Sequence, residues 1–217
     1  MGIELTISGF VVGLLVGLTG VGGGSLMTPL LVILFKVNPA VAIGTDLIYA
    51  SITKSAGVIS HNKLGHISWD IVGKLMLGSI PASFITTLFL KKINLKSPEV
   101  IGAIELGLGI ALVMTAVAVL YQPIIVEKSK SNKLRTLRHT NILTIALGII
   151  LGTMVTLTSV GAGALGVTAL LLLYPKMSVK NIIGTDIAHA VPITFFAGLG
   201  HYNLGHVDFI LLSSLLV

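Results

Sequence analysis

The stretch IGTDLIYASITKSAGVISHNKLGH, Ile43 to His66, recurs as IGTDIAHAVPITFFAGLGHYNLGH, Ile183 to His206, displaced by 140 positions and identical at nine of 24. Chance matches between apolar helices favour Leu and Ile, whereas these are mostly Gly, Thr, Asp and His, so they read as duplication of one unit. A second pair precedes the first at a displacement of 139, TGVGGGS from Thr19 to Ser25 answering TSVGAGA from Thr158 to Ala164. The apolar segments keep the same order around these anchors: residues 3–35, 40–60, 71–90 and 100–121, then 141–174, 179–200 and 209 onward. Val217 answers Leu77, so the second unit is expected to be truncated, without its counterpart of GSIPAS and of the fourth segment. The domain expectation is a first transmembrane repeat over residues 1–122, a basic cytoplasmic linker over 123–140 and an incomplete second repeat over 141–217.

Composition sets the solvent. Hydrophobic residues fill 54% of 217 positions, charged residues only 10%, and mean hydropathy is +1.01. A soluble domain carries about 25% charged residues and could not hide so much apolar surface. Several segments exceed the ~18 nearly uncharged residues that a bilayer span needs. The expected fold class is therefore an all-α membrane protein, a polytopic helical bundle of two homologous repeats with Gly-broken helices, in the cell membrane. Fourteen Lys and Arg against eight Asp and Glu give +6, but the basic residues fall in connections, where they set topology rather than attract nucleic acid. Cysteine is absent, which removes disulfides and thiolate metal sites. The N-terminus reads as mature, since its apolar run is too long for a cleaved signal peptide.

The first and fifth segments, both interrupted by the Gly-rich stretches, either dip in and return or cross. Returning segments give inverted halves and crossing ones give parallel halves. With Lys54 and Lys74 set inside segments, inversion puts Lys63, the five charges of the Lys128–Arg138 connection, Lys176 and Lys180 on one side against Lys36, Lys91, Lys92 and Lys96, eight to four. Parallel halves give six to six, so the positive-inside rule favours inversion.

Gly20, Gly22, Gly23 and Gly24 each cost about 1 kcal/mol relative to Ala in a helix, so a continuous helix through them is not expected. Inside a membrane an unwound backbone must be covered by protein or line a cavity. Ser25 can cap a helix restarting through Leu26, Met27 and Thr28, with Pro29 accepted in its first turn. Free N–H groups and a positive dipole end at that restart suit an anion. The competing reading is close helix packing, and Gly13, Gly17, Gly148 and Gly152 are assigned that role alone. Recurrence of the break at Gly161, Ala162 and Gly163 favours a substrate site, because paired broken segments mark transporter sites.

Asp46 and Asp186 follow Gly-Thr a few residues into apolar segments, where an acid is costly. They are either proton-coupling or gating carboxylates or shallow helix-start acids that satisfy backbone donors. Thr45 and Thr185 either offer hydroxyls to substrate or cap their helices. Lys54 either holds an anion or pairs with an acid, or it snorkels to the interface; its counterpart is Thr194. Glu105 gets the same two readings. His61, His66, His201 and His206 sit five residues apart around Leu-Gly, which argues for repeated turns rather than a metal site. Trp69 reads as an interface anchor.

GLTGVGGGSLMTPLL from Gly17, the following IGTD, and the weaker second set SVGAGALGV and IGTDIAHAVP together resemble the TauE/SafE, or sulfite exporter, family of membrane anion permeases, across essentially the whole chain. The resemblance implies a multi-pass cytoplasmic-membrane permease for small sulfur-containing or organic anions such as sulfite or sulfoacetate. From the residues themselves the expected partners are a small anion and membrane lipid, with Asp46 and Asp186 open to proton or ion coupling and no cofactor, metal or nucleic acid expected. The expected substrate-binding residues are Gly20, Gly22, Gly23, Gly24, Ser25, Thr45, Asp46, Lys54, Gly161, Ala162, Gly163, Thr185 and Asp186. A non-transporting membrane scaffold or channel-like fragment is the alternative. No nucleophile elbow, metalloprotease helix or phosphate loop is present to suggest an enzyme.

Overall fold

A computed structural model describes residues 6, 9–12, 24–95, 97–130 and 139–216, with the side chains of 24, 25, 129 and 130 excepted. Every regular element among them is helical: α1 (Gly24–Ile33), α2 (Pro39–Lys63), α3 (Trp69–Lys91), α4 (Pro98–Lys130), α5 (Thr140–Thr158), α6 (Ala164–Leu173), α7 (Val179–Asn203) and α8 (Phe209–Leu216). Local chemistry sets the boundaries. Asn38 accepts from the Ala40 amide at 3.0 Å ahead of Pro39, and Ser178 accepts from the Asn181 amide at 3.2 Å, so α2 and α7 begin on side-chain caps. Both helices end in the repeated Leu-Gly turn, where Gly65 and Gly205 adopt φ of 69° and 75°.

By length and composition, α3, α5, α7 and the Pro98–Lys128 stretch of α4 can each cross a membrane. Helix α2 has 25 residues, about 37 Å of helix, but Asp46 and Lys54 dilute its apolar character. It lies against α7, which covers its polar face. The expected end of the fourth segment at residue 121 is corrected: α4 runs through Pro123 to Lys130. Proline removes one backbone donor, while Ile125 and Val126 beyond it pack on the cluster of Ile71, Leu75, Leu170 and Ile182 and hold the helix in place.

Helices α2 and α7 run antiparallel. Gly44 faces His201 and the His206 carbonyl, Gly198 faces Ile48, Gly57 faces Ile187, and Gly184 faces His61 and the His66 carbonyl. The contacts of Gly44 and of Gly184 answer each other at a displacement of 140 positions. Thr45 Oγ1 accepts from the Asp208 amide and Thr185 Oγ1 from the Ser68 amide, both at 3.0 Å. Each IGTD motif is thus seated on the His-turn that ends the opposite long helix. At Gly44 and Gly184 any Cβ would collide with the facing carbonyl oxygen, so only glycine lets the helix approach.

Segment five dips in and returns. Helix α5 lies parallel to α3, with Gly148 on the Leu75 carbonyl and Gly152 on the Ser79 carbonyl, the close-packing role expected of these two glycines. After residues 159–163 the chain reverses, α6 runs back along α7, and the Tyr174 hydroxyl meets the Thr144 hydroxyl at 2.7 Å. The corresponding stretch at residues 13–23 lies outside the described residues. Lys63, the end of α4, Lys176 and Lys180 share one end of the bundle, and Lys36, Lys91 and Lys92 the other.

Candidate functional site

Polar side chains from five elements meet where α2 and α7 cross the α5–α6 break. Asp46 and Asp186 each lie seven residues into their helices, about 10 Å along the axis, and both are fully buried. This corrects the reading of them as shallow helix-start acids. Asp46 Oδ2 accepts from Thr28 Oγ1 of α1 at 2.6 Å and from Ser159 Oγ at 2.9 Å, hydroxyls of other elements rather than donors of its own first turn. Asp186 is packed against the Gly166 backbone so closely that a Cβ there would strike its Oδ1. Asp46 Oδ1, Asp186 Oδ1 and His189 Nδ1 are buried with no hydrogen-bond partner among the described residues.

Lys54 does not snorkel. Its Nζ donates to the Ala162 carbonyl at 2.9 Å, tying the middle of α2 to the break, and it lies within electrostatic range of Asp46, Asp186 and His189. His189 Nε2 is 2.9 Å from Ser79 Oγ of α3. The break itself is built from backbone that favours glycine: Ser159 has φ of 59°, Gly161 of 130° and Gly163 of 141°. A non-glycine residue is strained there, and such strain gathers at functional sites. Thr158 Oγ1 steadies the turn by accepting from the Val160 amide at 3.1 Å. Gly163 precedes α6 and provides no side-chain cap, so the first amides of α6 rely on backbone or ligand acceptors, as that of Gly166 does with the Gly161 carbonyl.

The expected site residues fall into three groups. Asp46, Lys54, Gly161, Ala162, Gly163 and Asp186 converge. Thr45 and Thr185 sit one residue away, and their oxygens are committed to the Asp208 and Ser68 amides just ahead of α8 and α3. Gly20, Gly22 and Gly23 lie outside the described residues; Gly24 opens α1, so Ser25 belongs to the first turn rather than to the cap. Glu105 is exposed on the outer face of α4. The histidines pair across the turns, with ring centroids 5.7 Å apart for His61–His66 and 6.0 Å for His201–His206. Trp69 opens α3 and donates to Asn62 Oδ1 at 3.2 Å.

Thr28, Ser79, Ser159 and His189 join the cluster without having been singled out in sequence. Ser159 and His189 lie inside the quoted motifs, and His189 is one helical turn beyond Asp186, a spacing that places both on one face. Thr28 lies inside GLTGVGGGSLMTPLL and Ser79 inside GSIPAS, but no spacing there singles out either hydroxyl. The apolar groove between α3 and α7, lined by Pro81, Phe84, Leu88 and Phe196, opens on the outer surface away from these groups.

Comparison with known proteins agrees with this membrane architecture. The family model described as Sulfite exporter TauE/SafE matches residues 5–217. The probable membrane transporter protein YjnA of Bacillus subtilis is 38% identical over 219 residues, spanning 100% of this chain and 85% of that protein. YdhB of the same organism, also a probable membrane transporter protein, is 28% identical over 96% of this chain and 82% of its own length. The probable membrane transporter protein MJ0441 of Methanocaldococcus jannaschii is 26% identical over 94% and 77%. No solved structure matches. A match over nearly the whole chain, together with a relative this similar at full coverage, establishes that the chain belongs to the TauE/SafE family of membrane transporters.

Proposed function

We propose that the chain is a permease of the cytoplasmic membrane for small sulfur-containing or organic anions, binding them between Lys54 and the restart of α6. The observation that carries this reading is the Lys54–Ala162 bond, which holds a half-buried cation against an unwound backbone. A charge there is expensive and is kept for a ligand or a partner. The amides of Gly163, Ala164 and Leu165 complement it, since a helix start offers donors and a positive dipole end to an anion. Gly24 and Ser25 open α1 in the same way, and Thr28 of that helix already reaches Asp46. The two related units, residues 1–122 and 141–217, form the inverted halves of this permease, with the basic connection over 123–140 cytoplasmic.

Thermal shift of the purified protein against sulfite, thiosulfate, sulfoacetate and sulfate tests the substrate class. At ligand concentrations about 100-fold above Kd, bound anion adds about 2.7 kcal/mol to stability, so at least one sulfur anion should raise Tm by several degrees. No shift with any of the four would remove the proposal.

Topology is tested separately. The chain has no cysteine, so single Lys63→Cys, Lys128→Cys, Lys176→Cys and Lys36→Cys variants report cleanly. In intact cells the first three should resist an impermeant maleimide while Lys36→Cys reacts. Opposite accessibility of positions 128 and 176 would refute the inverted arrangement.

A further inference from the structure

We infer that Asp186 is a proton site of this permease, taking up a proton as the anion binds, while Asp46 keeps its charge under its two hydroxyl donors. The inference rests on the anion-permease reading and adds the coupled ion. The two acids hold the same place in the two IGTD motifs, yet their surroundings differ. Asp46 is held by hydroxyls from Thr28 and Ser159. The positions answering these at a displacement of 139 are Val167 and Gly20, neither of which has a hydroxyl. Oδ1 is buried without a donor in both acids, so among the described residues the difference lies in the two hydroxyls that hold Asp46 Oδ2 alone. Hydrogen bonds to a carboxylate favour its charged form, and a buried carboxylate without them is the easier one to neutralise with a proton.

The ionisable groups around Asp186 are few. Helix α2 presents Lys54 and Asp46, with His61 a turn away beside Gly184; α7 itself presents His189. Helix α3 presents the uncharged Ser79, and the sequences of α5 and α6 contain no ionisable side chain. One Lys and two Asp leave the cluster one charge negative, which opposes an entering anion in a medium where a net charge is costly. Transfer of a proton from bulk water to Asp186 converts its carboxylate to a carboxyl, and the remaining Lys54–Asp46 pair is neutral before the anion enters. Proton and anion then occupy the site together. A proton suits the site better than a metal cation, because Gly166 closes directly on Asp186 Oδ1.

Calorimetry with thiosulfate and with sulfoacetate tests the proposal, because the charge of neither probe changes between about pH 6 and about pH 8.5. Run in two buffers of different ionisation enthalpy, the intact protein should take up about one proton per anion bound, with affinity rising up to about tenfold per pH unit of acidification. The uptake should vanish in Asp186→Asn and persist in Glu105→Gln, whose side chain lies on the outer face of α4. Zero uptake by the parent protein overturns the proposal, as does uptake retained in a folded Asp186→Asn or lost only in His189→Gln. Infrared spectroscopy of the ligand-free protein supplies an arm that needs no substrate. The protonated-carboxyl band that appears on acidification should be absent from Asp186→Asn and shifted in Asp186→Glu, and a band that neither variant alters overturns the assignment. Failure of every probe to bind, with that band present and altered in both variants, would sink the permease reading and leave the proton site standing.

Discussion

Lys54→Met is expected to weaken anion binding by at least roughly 100-fold. Removing one partner of a buried charge pair costs about 3–5 kcal/mol, and about 1.4 kcal/mol corresponds to each tenfold in affinity. The substitution acts in two ways at once. It takes away the cation that faces the bound anion, and it leaves Asp46 and Asp186 buried without compensation, so the free protein loses stability too. The double variant Lys54→Met/Asp186→Asn separates these effects, because it returns the cluster to the parent's net charge. Its Tm should recover most of what Lys54→Met loses, while thiosulfate and sulfoacetate binding stay undetectable. Binding restored in the double variant would mean that Lys54 merely balances the acids and that the anion sits elsewhere. Arg is a poor substitute here, since its planar fork cannot make the single Nζ contact to the Ala162 carbonyl in the same space.

The sequence made the class of the fold and the pairing of its motifs plain, because both depend on properties that survive in one dimension. Hydropathy and length report the bilayer, and the identities at Gly44, Thr45 and Asp46 with Gly184, Thr185 and Asp186 mark the two motifs that the fold sets against opposite turns. What those motifs do was not legible. Gly-Thr reads as a helix start, yet Gly44 admits the opposite His-turn and Thr45 accepts the Asp208 amide, contacts between positions more than 150 residues apart. The same holds for depth. Asp46 looked shallow along its own helix, and only the neighbours that close over it, α1 and the α5–α6 break, make it buried. Lys54 was ambiguous for a similar reason, since a lysine some seven residues from His61 can reach the interface or turn inward, and the free Ala162 carbonyl that draws it inward comes from the other half of the chain. Hydroxyl donors such as Thr28 and Ser79 escape sequence reading altogether, because a lone Ser or Thr in a membrane helix most often bonds back to its own backbone, as Thr194 does here with the Ala190 carbonyl.

Gly161→Ala is the second substitution expected to act strongly, and its effect should be on binding more than on folding. Gly161 has φ of 130°, a region that side chains rarely enter, so any other residue must shift the local backbone at a cost of about 1–3 kcal/mol. A Cβ at this position would point back onto α5, 3.4 Å from Val155 Cγ2, and not into the space beside the restarting helix. The larger leucine would therefore disturb α5 packing as well, which makes alanine the cleaner probe. Rotating residue 161 turns the peptide that follows it, and with it the Ala162 carbonyl that holds Lys54 and the first amides of α6. Anion affinity should fall by about tenfold or more, on the scale of one lost charge-assisted hydrogen bond at about 1.5–3 kcal/mol. Gly205→Ala provides the matched control. That glycine also has positive φ, 75°, but nothing lies within 4 Å of where its Cβ would stand, and its turn is remote from Lys54. It should lose comparable stability, about 1–2 kcal/mol for a left-handed alanine, with anion affinity unchanged. Equal losses of affinity in the two folded variants would make the break a packing device, and the anion would then have to be sought nearer the Asp46 hydroxyl ring formed by Thr28 and Ser159.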